Sequence, residues 1–267
     1  EETVKIEDLE ENFGAILICS ESPINRDLDI PGNKLSGIVQ AMDFLTHNNK
    51  YVDGQIDKHS DKFNAKNKNV IVIGGGDTGS DCIGTSNRHG SKSVTNFELA
   101  EKPSTERLSK NPWPHWPFTL KSSSSHEEGV ERKWSILTKE FIGDENNNIK
   151  SLVTVNVEFN EEKNQFIEIP NSKKIWDCDL VILALGFTGP EKKLPKELDV
   201  MLDKKGNISA NSNYQTKKNN IFTAGDCRRG QSLIVWAISE GREASYHLDK
   251  YLMGSSKLPR KNTFGDL

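Results

Sequence analysis

Closely spaced cysteines are missing from this sequence. Its four cysteines, Cys19, Cys82, Cys178 and Cys227, lie far apart, and no two of them form a CxxC pair. Structural zinc sites and iron–sulfur clusters are held by clustered thiolates. We therefore predict no metal centre built from this chain alone. We expect reduced cysteines that serve as small core residues.

A membrane span and a basic cluster are also missing. The longest apolar run, residues 180–185, is much shorter than the roughly 20 residues of a spanning helix. The 35 Lys and Arg residues are scattered and are balanced by 39 Asp and Glu residues. This pattern predicts neither nucleic acid nor a membrane as a partner. We expect a cytoplasmic protein, with an organellar location as the alternative.

The sequence has few hydrophobic residues and no start signal. The hydrophobic fraction is 34%, which is low for a chain that buries a complete core. The first residues, Glu1 and Glu2, include neither an initiator Met nor a signal peptide. We therefore expect the sequence to be part of a longer polypeptide.

A glycine-rich turn is the clearest motif. The β-branched run at 70–73 leads directly into GxGxxG, with its glycines at Gly74, Gly76 and Gly79, and a helix is predicted over 78–89. In this context Gly74 permits a tight turn, Gly76 lets the backbone approach a pyrophosphate, and Gly79 lets the helix pack closely. The helix N-terminus then faces the phosphates. The alternative is a glycine turn that binds nothing.

An acidic residue follows at the spacing that this motif requires. Glu98 lies at the end of the next predicted strand, residues 94–99. A carboxylate there accepts a hydrogen bond from the ribose 2′-hydroxyl and repels a 2′-phosphate. The position favours NADH over NADPH, although Lys102 and Arg107 are near enough in sequence to serve a phosphate. A merely solvated Glu98 is the other reading.

A second signature stands near the C-terminus. A predicted strand at 221–224 runs into Gly225-Asp226, and a long helix is predicted over 232–252. In flavoprotein reductases with two dinucleotide-binding domains, such an Asp binds the ribityl chain of FAD, and the helix that follows stabilises negative charge on the flavin. An ordinary turn capped by Asp226 is the alternative. The predicted strand that ends in Ala184-Leu185-Gly186 marks the return of the chain to the flavin domain, and Gly186 is predicted to be a further cofactor contact.

The remaining pattern contains further strands and loops. Residues 13–19 predict a strand, 38–45 a helix, 48–68 a loop, and 103–125 a long irregular loop that contains PWPHWP. Three strands of a meander are predicted at 134–141, 152–159 and 166–169. Four histidines, His89, His115, His126 and His247, are interpreted as structural or surface residues.

Four motifs together resemble the small (β) subunit, or β-like region, of glutamate synthase. These motifs are GGGDTGSDCIGTSNRHG, NPWPHWP, LTKEFIGDEN and AGDCRRGQSLIVWAISEGREA. The resemblance implies a region that transfers a hydride from NAD(P)H to FAD. It also implies that electrons then pass through iron–sulfur clusters to FMN outside this chain, where glutamine and 2-oxoglutarate give glutamate. The implied partner is the large (α) region or the rest of the same polypeptide.

The resemblance also implies binding residues. It assigns nicotinamide-dinucleotide contacts to Gly74, Gly76, Asp77, Thr78 and Gly79, and FAD contacts to Gly225, Asp226, Gln231, Ser232 and Leu233. No separate acid–base residue is expected, because the two cofactors carry the chemistry.

The chain departs from the family pattern in three places. It contains neither the cysteine-rich segment nor the first GxGxxG motif of the family. Residues 19–22 read Cys-Ser-Glu-Ser where the family has small residues. Residues 121–126 replace a segment that carries Arg, Asp and Tyr in relatives.

The predicted architecture is an α/β flavoprotein with two dinucleotide-binding domains. A doubly wound Rossmann-like nucleotide-binding domain, residues 37–185, is inserted in the C-terminal part of an FAD-binding domain, residues 1–36 and 186–267. Two alternative functions stay open. One is a nucleotide-binding regulatory or scaffold remnant without flavin, and the other is a reductase module for another acceptor, as in dihydropyrimidine dehydrogenase.

Overall fold

The computed structural model describes residues 4–109, 111–112 and 118–260. Most of the PWPHWP segment, including His115, lies outside these residues. The helices within them are α1 (Ile6–Asn12), α2 (Ala41–Val52), α3 (Asp77–Arg88), α4 (Ser124–Glu127), α5 (Lys193–Glu197), α6 (Asp226–Arg229) and α7 (Ile234–Met253), with a 3₁₀ turn at Asp61–Phe63. The strands are β1 (Ile16–Ile18), β2 (Ile38–Gln40), β3 (Asn69–Ile73), β4 (Ser93–Phe97), β5 (Glu131–Lys133), β6 (Ile136–Gly143), β7 (Ile149–Asn160), β8 (Gln165–Glu168), β9 (Lys174–Asp177), β10 (Leu180–Leu183) and β11 (Ile221–Thr223).

The chain divides into two compact units. Residues Asp27–Gly186 form one, here called the inner unit, and the residues up to Arg26 and from Phe187 onward form the other, the outer unit. Sequence analysis placed the two divisions at 36/37 and 185/186. The first division lies earlier because the turn at Pro31 belongs to the inner unit, where the Phe141 N–H donates to the Pro31 carbonyl at 2.9 Å.

A parallel sheet forms the centre of the inner unit. Its five strands are all parallel and follow the order β2-β10-β3-β4-β5. Strands β3 and β10 lie inside the sheet, and their apolar residues are almost completely buried, as expected for strands covered on both faces. Because β3 is the middle strand, the glycine turn that follows it emerges at the centre of the sheet's carboxyl edge.

The two faces of this sheet are covered differently. On one face, the apolar residues of α2 and α3, including Phe44 and Ile83, pack on Val70, Val72 and Ile182. On the other face lies an antiparallel sheet made from β6 to β9. Its apolar side chains, including Phe141, Ile149 and Leu152, form a core with Ile71, Phe97 and Val181 of the parallel sheet. The predicted meander is therefore the third layer of this unit.

Two local predictions in the inner unit are wrong. Residues 38–40 form edge strand β2, and the helix begins only at Ala41. The β-branched Ile38 and Val39 pair with β10, and this tertiary pairing outweighs the apolar spacing that suggested a helix. The helix then continues to Val52, into the segment predicted as a loop. The strands β5 and β9 were not predicted.

The outer unit is built around a short parallel pair. Strand β1 pairs with β11 in the register Ile16 to Ile221. The apolar side chains of α1 and of the segment around α5, including Ile6 and Leu198, pack on this pair. Helix α7 is long, as predicted, but it begins at Ile234 rather than at residue 232. Strand β1 is shorter than the predicted 13–19 segment, and Phe13 is exposed.

Helix α7 buries two carboxylates and exposes several apolar residues. Glu240 and Glu243 are 1% and 3% exposed, whereas Ile234 and Ile238 are 79% and 57% exposed. Buried carboxylates require charged or hydrogen-bonding partners, so polar contacts define how this helix is seated in its unit. Within the described residues, no helix has the length and apolar character that a membrane crossing requires.

Three histidines pack together at the end of α3. The ring of His89 lies 4.2 Å from that of His59, centroid to centroid, and His47 stands 5.7 Å from His59. The His89 Nδ1 atom accepts from the Ala65 N–H at 3.3 Å, and its Nε2 pairs with Asn48 at 2.9 Å. Burial, followed by the neighbouring cations, lowers the pKa of His89 to about 4.

We predict that the inner unit loses stability in mild acid. Between the ordinary His pKa of 6.5 and the folded value of about 4, the unfolded chain binds a proton that folded His89 does not. The free energy of unfolding therefore decreases as the pH falls through this window. The decrease should be on the order of 1–2 kcal/mol, because solvent partly screens the half-buried ring. Thermal melts at a series of pH values test this. The variant His89→Phe should melt lower at neutral pH, because two hydrogen bonds are lost, but its further decline in acid should be smaller. An unchanged acid decline would contradict the assignment.

Candidate nucleotide-binding sites

The glycine turn between β3 and α3 depends on close backbone packing. Gly74 has a φ of +122°, and a Cβ there would collide with the carbonyl of Ala184, just after β10. A Cβ on Gly79 would collide with the carbonyl of Gly74. Both positions therefore require glycine for structural reasons. The result is that the start of α3 lies directly against the end of the parallel sheet.

Gly76 differs from these two glycines because the space beside it is open. It is the N-cap of α3 with a φ of −80°, a conformation that any residue adopts, and a Cβ there would meet nothing within 4 Å. Asp77 and Thr78 form the first turn of the helix. The first N–H groups of a helix have no acceptor within it, so this open space is suited to an anion.

A buried asparagine supports the turn. Asn96 in β4 is completely buried, and its amide donates to the carbonyls of Val72 at 3.1 Å and Gly74 at 2.9 Å. These two bonds hold the end of β3 and the first residue of the turn. Sequence analysis did not single out this residue. The signal was present as one amide in an otherwise strand-forming segment.

Glu98 lies beside the turn, next to β4. Its carboxylate stands so close to Gly75 that a Cβ on Gly75 would collide with it. The Glu98 Oε1 atom accepts from the Arg132 guanidinium at 2.8 Å, and both side chains are largely buried. Arg132 belongs to β5, which pairs with β4. Sequence analysis placed Glu98 correctly at the strand end but identified neither β5 nor Arg132.

The segment at 121–126 is attached to α3. The Ser123 side chain caps α4 in a reciprocal arrangement with His126, and its hydroxyl also bonds Ser80 of α3. Burial, then the nearby Arg132, lowers the pKa of His126, and Glu98 opposes this effect. Part of the predicted irregular loop is therefore helical and belongs to the same site.

The second signature forms a pocket in the outer unit. Gly225 follows β11 with a φ of +76°, and Asp226 begins α6. A cavity of about 210 Å³ opens here, and it is lined by Cys19, Ser20, Glu21, Ala224, Gly225, Asp226, Ser232, Leu233, Ile234 and Ala237. Burial raises the pKa of Asp226, and Glu21 adds to this effect, while a hydrogen bond from the Ser232 N–H opposes it.

Eleven of the twelve predicted contact residues thus fall into two groups, and Gly186 belongs to neither. The first, Gly74, Gly76, Asp77, Thr78, Gly79 and Glu98, surrounds the glycine turn of the inner unit. In the second, Gly225, Asp226, Ser232 and Leu233 line the pocket of the outer unit, whereas Gln231 is not among its lining residues. Gly186 is the last residue of the inner unit and has a φ of +78°.

Glu240 of α7 binds the backbone of the turn at Gly225. Its Oε2 atom accepts from the Gly225 N–H at 3.0 Å, and its Oε1 accepts from Arg228 and Arg229, each at 2.9 Å. Arg228 also lies over the ring of Tyr214 at 4.4 Å. One completely buried carboxylate therefore joins α7 to both ends of α6. No group of three metal-ligating side chains occurs among the residues that the structure describes.

The model of one protein family matches almost the entire chain. It is the pyridine nucleotide-disulphide oxidoreductase model, and it aligns with residues 2–241. The chain belongs to this family. The chain is also similar to glutamate synthase [NADH] of Schizosaccharomyces pombe, with 44% identity over 96% of this chain and 13% of that protein.

Bacterial relatives show the same resemblance over a larger share of their length. The glutamate synthase [NADPH] small chains of Mycobacterium tuberculosis and Bacillus subtilis are 40% and 41% identical over 96% of this chain, which covers 53% and 54% of them. The chain therefore spans about half the length of these small chains.

Solved structures share the fold. The chain resembles Mycobacterium tuberculosis FprA in complex with NADPH, with a TM-score of 0.69 and 14% identity over 94% of this chain and 66% of FprA. It also resembles the thioredoxin reductase of Lactococcus lactis, with a TM-score of 0.60 and 18% identity over 90% and 66%. The predicted fold class, a flavoprotein fold with two dinucleotide-binding domains, is confirmed.

We predict that two glycine substitutions one turn apart affect different properties, one the stability and the other the nucleotide affinity. Gly79→Ala should lower the melting temperature by several degrees, because its Cβ has no room beside the Gly74 carbonyl. Gly76→Ala should fold normally, because its Cβ meets nothing, but should weaken binding of a nicotinamide dinucleotide by about tenfold or more.

Each glycine variant is the control for the other. Melting curves measure the first effect, and titration calorimetry with NADH and NADPH measures the second. Normal nucleotide affinity in Gly76→Ala would show that no ligand approaches this part of the turn.

Proposed function

We propose that this chain is the electron-input module of a glutamate synthase, in which a hydride passes from NAD(P)H to FAD. The observation that carries this proposal is the presence of two nucleotide-type sites on one chain that is 40–44% identical to glutamate synthases. One is the glycine turn with Glu98 in the inner unit. The other is the Gly225-Asp226 pocket in the outer unit.

The inner unit fits a nicotinamide dinucleotide. Gly76 leaves space for the pyrophosphate at the start of α3, where the helix dipole favours negative charge. Glu98 lies beside the turn at the end of β4, and its Oε2 faces Gly75. That carboxylate is in position to accept from a ribose hydroxyl. We propose NADH as the favoured donor, because a 2′-phosphate brings further negative charge toward Glu98.

The outer unit fits part of a flavin nucleotide. Its cavity of about 210 Å³ is lined by the Asp226 carboxylate and by Ser232, polar groups suited to the hydroxyls of a ribityl chain. Leu233 and Ile234 contribute apolar surface at the start of α7, suited to an aromatic ring. When bound, FAD accepts the hydride and releases electrons to the next carrier. The residues of this chain hold and orient the cofactor.

The larger reaction belongs to the longer protein. We propose that electrons leave this module through iron–sulfur clusters to FMN in the large region of glutamate synthase. There, 2-oxoglutarate and the ammonia released from glutamine are converted to glutamate with these electrons. The partner is that large region, on a separate subunit or on the same polypeptide.

A flavin-free scaffold is the second candidate function. It is favoured by Glu21, which lines the pocket of the outer unit and raises the pKa of Asp226 by its charge. A carboxylate at this position disfavours close approach of an anionic cofactor. Flavin content discriminates between the two functions.

We predict that the flavin of the full polypeptide is reduced faster by NADH than by NADPH. The measurement is anaerobic stopped-flow absorbance of the purified protein with each nucleotide. Faster bleaching by NADPH would contradict the preference assigned to Glu98. A full polypeptide that holds flavin at its other sites but none at this module would favour the scaffold.

We predict that Glu240 is required for flavin binding and that Glu243 is not. Glu240→Gln removes the charge that holds Arg228 and Arg229 and weakens the acceptor for the Gly225 N–H, so FAD should dissociate about tenfold more readily. Glu243 is also buried, one turn further along α7, and it pairs with Arg260 at 3.3 Å. FAD affinity, measured by fluorescence after dialysis, should change less than about twofold in Glu243→Gln.

Melting temperatures separate a local effect from unfolding. Both substitutions replace a buried carboxylate by its amide, so similar stability losses are expected. Equal loss of FAD in the two variants would contradict a positioning role for Glu240.

A further inference from the structure

Arg132 is a buried cation beside the glycine turn of the inner unit. Its side chain is 13% exposed, and that of its ion-pair partner Glu98 is 14% exposed. One guanidinium nitrogen donates to Glu98 at 2.8 Å and another to the Lys121 carbonyl at 2.9 Å. The guanidinium lies 4.9 Å from the ring centre of Trp134. Arg132 is thus held at three points.

The guanidinium retains unused hydrogen-bonding capacity. Its Nε atom is buried and has no hydrogen-bond partner among the described residues. Buried donors without an acceptor are costly in folded proteins, so they are uncommon unless a ligand or water completes them. Without Glu98, the terminal nitrogen that now donates to it would be free, and that nitrogen together with Nε matches two oxygens of a phosphate.

The ion pair gives the two oxygens of the Glu98 carboxylate different surroundings. The Oε1 atom is occupied by Arg132, whereas Oε2 faces the turn at Gly75. One oxygen therefore remains for a ribose hydroxyl. The formal charges of the pair sum to zero, so the repulsion that a lone carboxylate exerts on a 2′-phosphate is weaker here.

We infer that Arg132 can bind a nucleotide 2′-phosphate but is kept occupied by its ion pair with Glu98. The pair, rather than Glu98 alone, therefore selects between NADH and NADPH. This inference rests on the proposed function, because it assumes that a dinucleotide binds at the glycine turn. In NADH binding, Glu98 accepts from the 2′-hydroxyl while Arg132 holds the carboxylate in place. When Glu98 is absent, the same guanidinium is released toward a phosphate.

One other cation that lies nearby serves as a comparison. Lys102 stands 5.2 Å from the ring centre of Trp134, the ring over which Arg132 also lies. Sequence analysis named Lys102 and Arg107 as candidate phosphate contacts. In the structure, however, the cation paired with Glu98 is Arg132. Lys102 is therefore a matched control with the same charge near the same ring.

The test compares binding of 2′,5′-ADP and ADP to the full polypeptide by calorimetry. Glu98→Ser should bind 2′,5′-ADP about tenfold to a hundredfold more tightly than the unaltered protein, because the freed guanidinium gains a charge-assisted contact, and should bind ADP more weakly. Adding Arg132→Met should abolish the gain. Adding Lys102→Met instead should reduce it by less than about threefold.

A second variant covers the risk that Glu98→Ser destabilises the protein. Glu98→Gln keeps an acceptor for Arg132 and removes only the charge, so it should show a smaller shift toward 2′,5′-ADP. An unchanged ratio of the two affinities in both variants overturns the inference. Retention of the gain in the Glu98→Ser/Arg132→Met double variant also overturns it.

These outcomes are separate from the test of the proposed function. The binding of 2′,5′-ADP and ADP requires no flavin, whereas the proposed function fails if neither NADH nor NADPH reduces the flavin of the unaltered protein.

Discussion

The contact between the Gly74 carbonyl and the backbone of Gly79 is the constraint on which the nucleotide-binding unit depends. It brings α3 against the carboxyl edge of the parallel sheet, at the middle strand. Asn96 reinforces the same point by donating to Gly74 and Val72. Once the helix start is held there, the open side of Gly76, the carboxylate of Glu98 and the segment at 121–126 are all arranged around one edge of the sheet.

The outer unit also holds a turn between a strand and a helix, but with different interactions. Its parallel pair is short, and the turn after β11 is held by a buried carboxylate rather than by close glycine packing. Glu240 binds the Gly225 backbone and two arginines at once. The two units therefore present comparable strand–turn–helix sites, one organised by sterics and the other by electrostatics.

Sequence predicted the parts of these sites that are encoded locally. The glycine spacing, the strand before it and the helix after it all follow from neighbouring residues, and so does the position of Glu98. Strand β2 was assigned to a helix because its pairing with β10 joins residues far apart in the chain. Arg132, Asn96 and Glu240 were missed for the same reason. Each acts on a backbone or side chain that only the folded sheet or helix brings near.

The inward carboxylates of α7 have a consequence for how this helix responds to its surroundings. An ordinary amphipathic helix is oriented by burial of its apolar stripe, and this hydrophobic effect is non-directional. Helix α7 is oriented in addition by directional bonds to Glu240, while Val235 and Ile238 face outward. Because buried ion pairs are little screened, added salt should leave its rotation unchanged while strengthening the tendency of its outer face to adhere to other apolar surfaces.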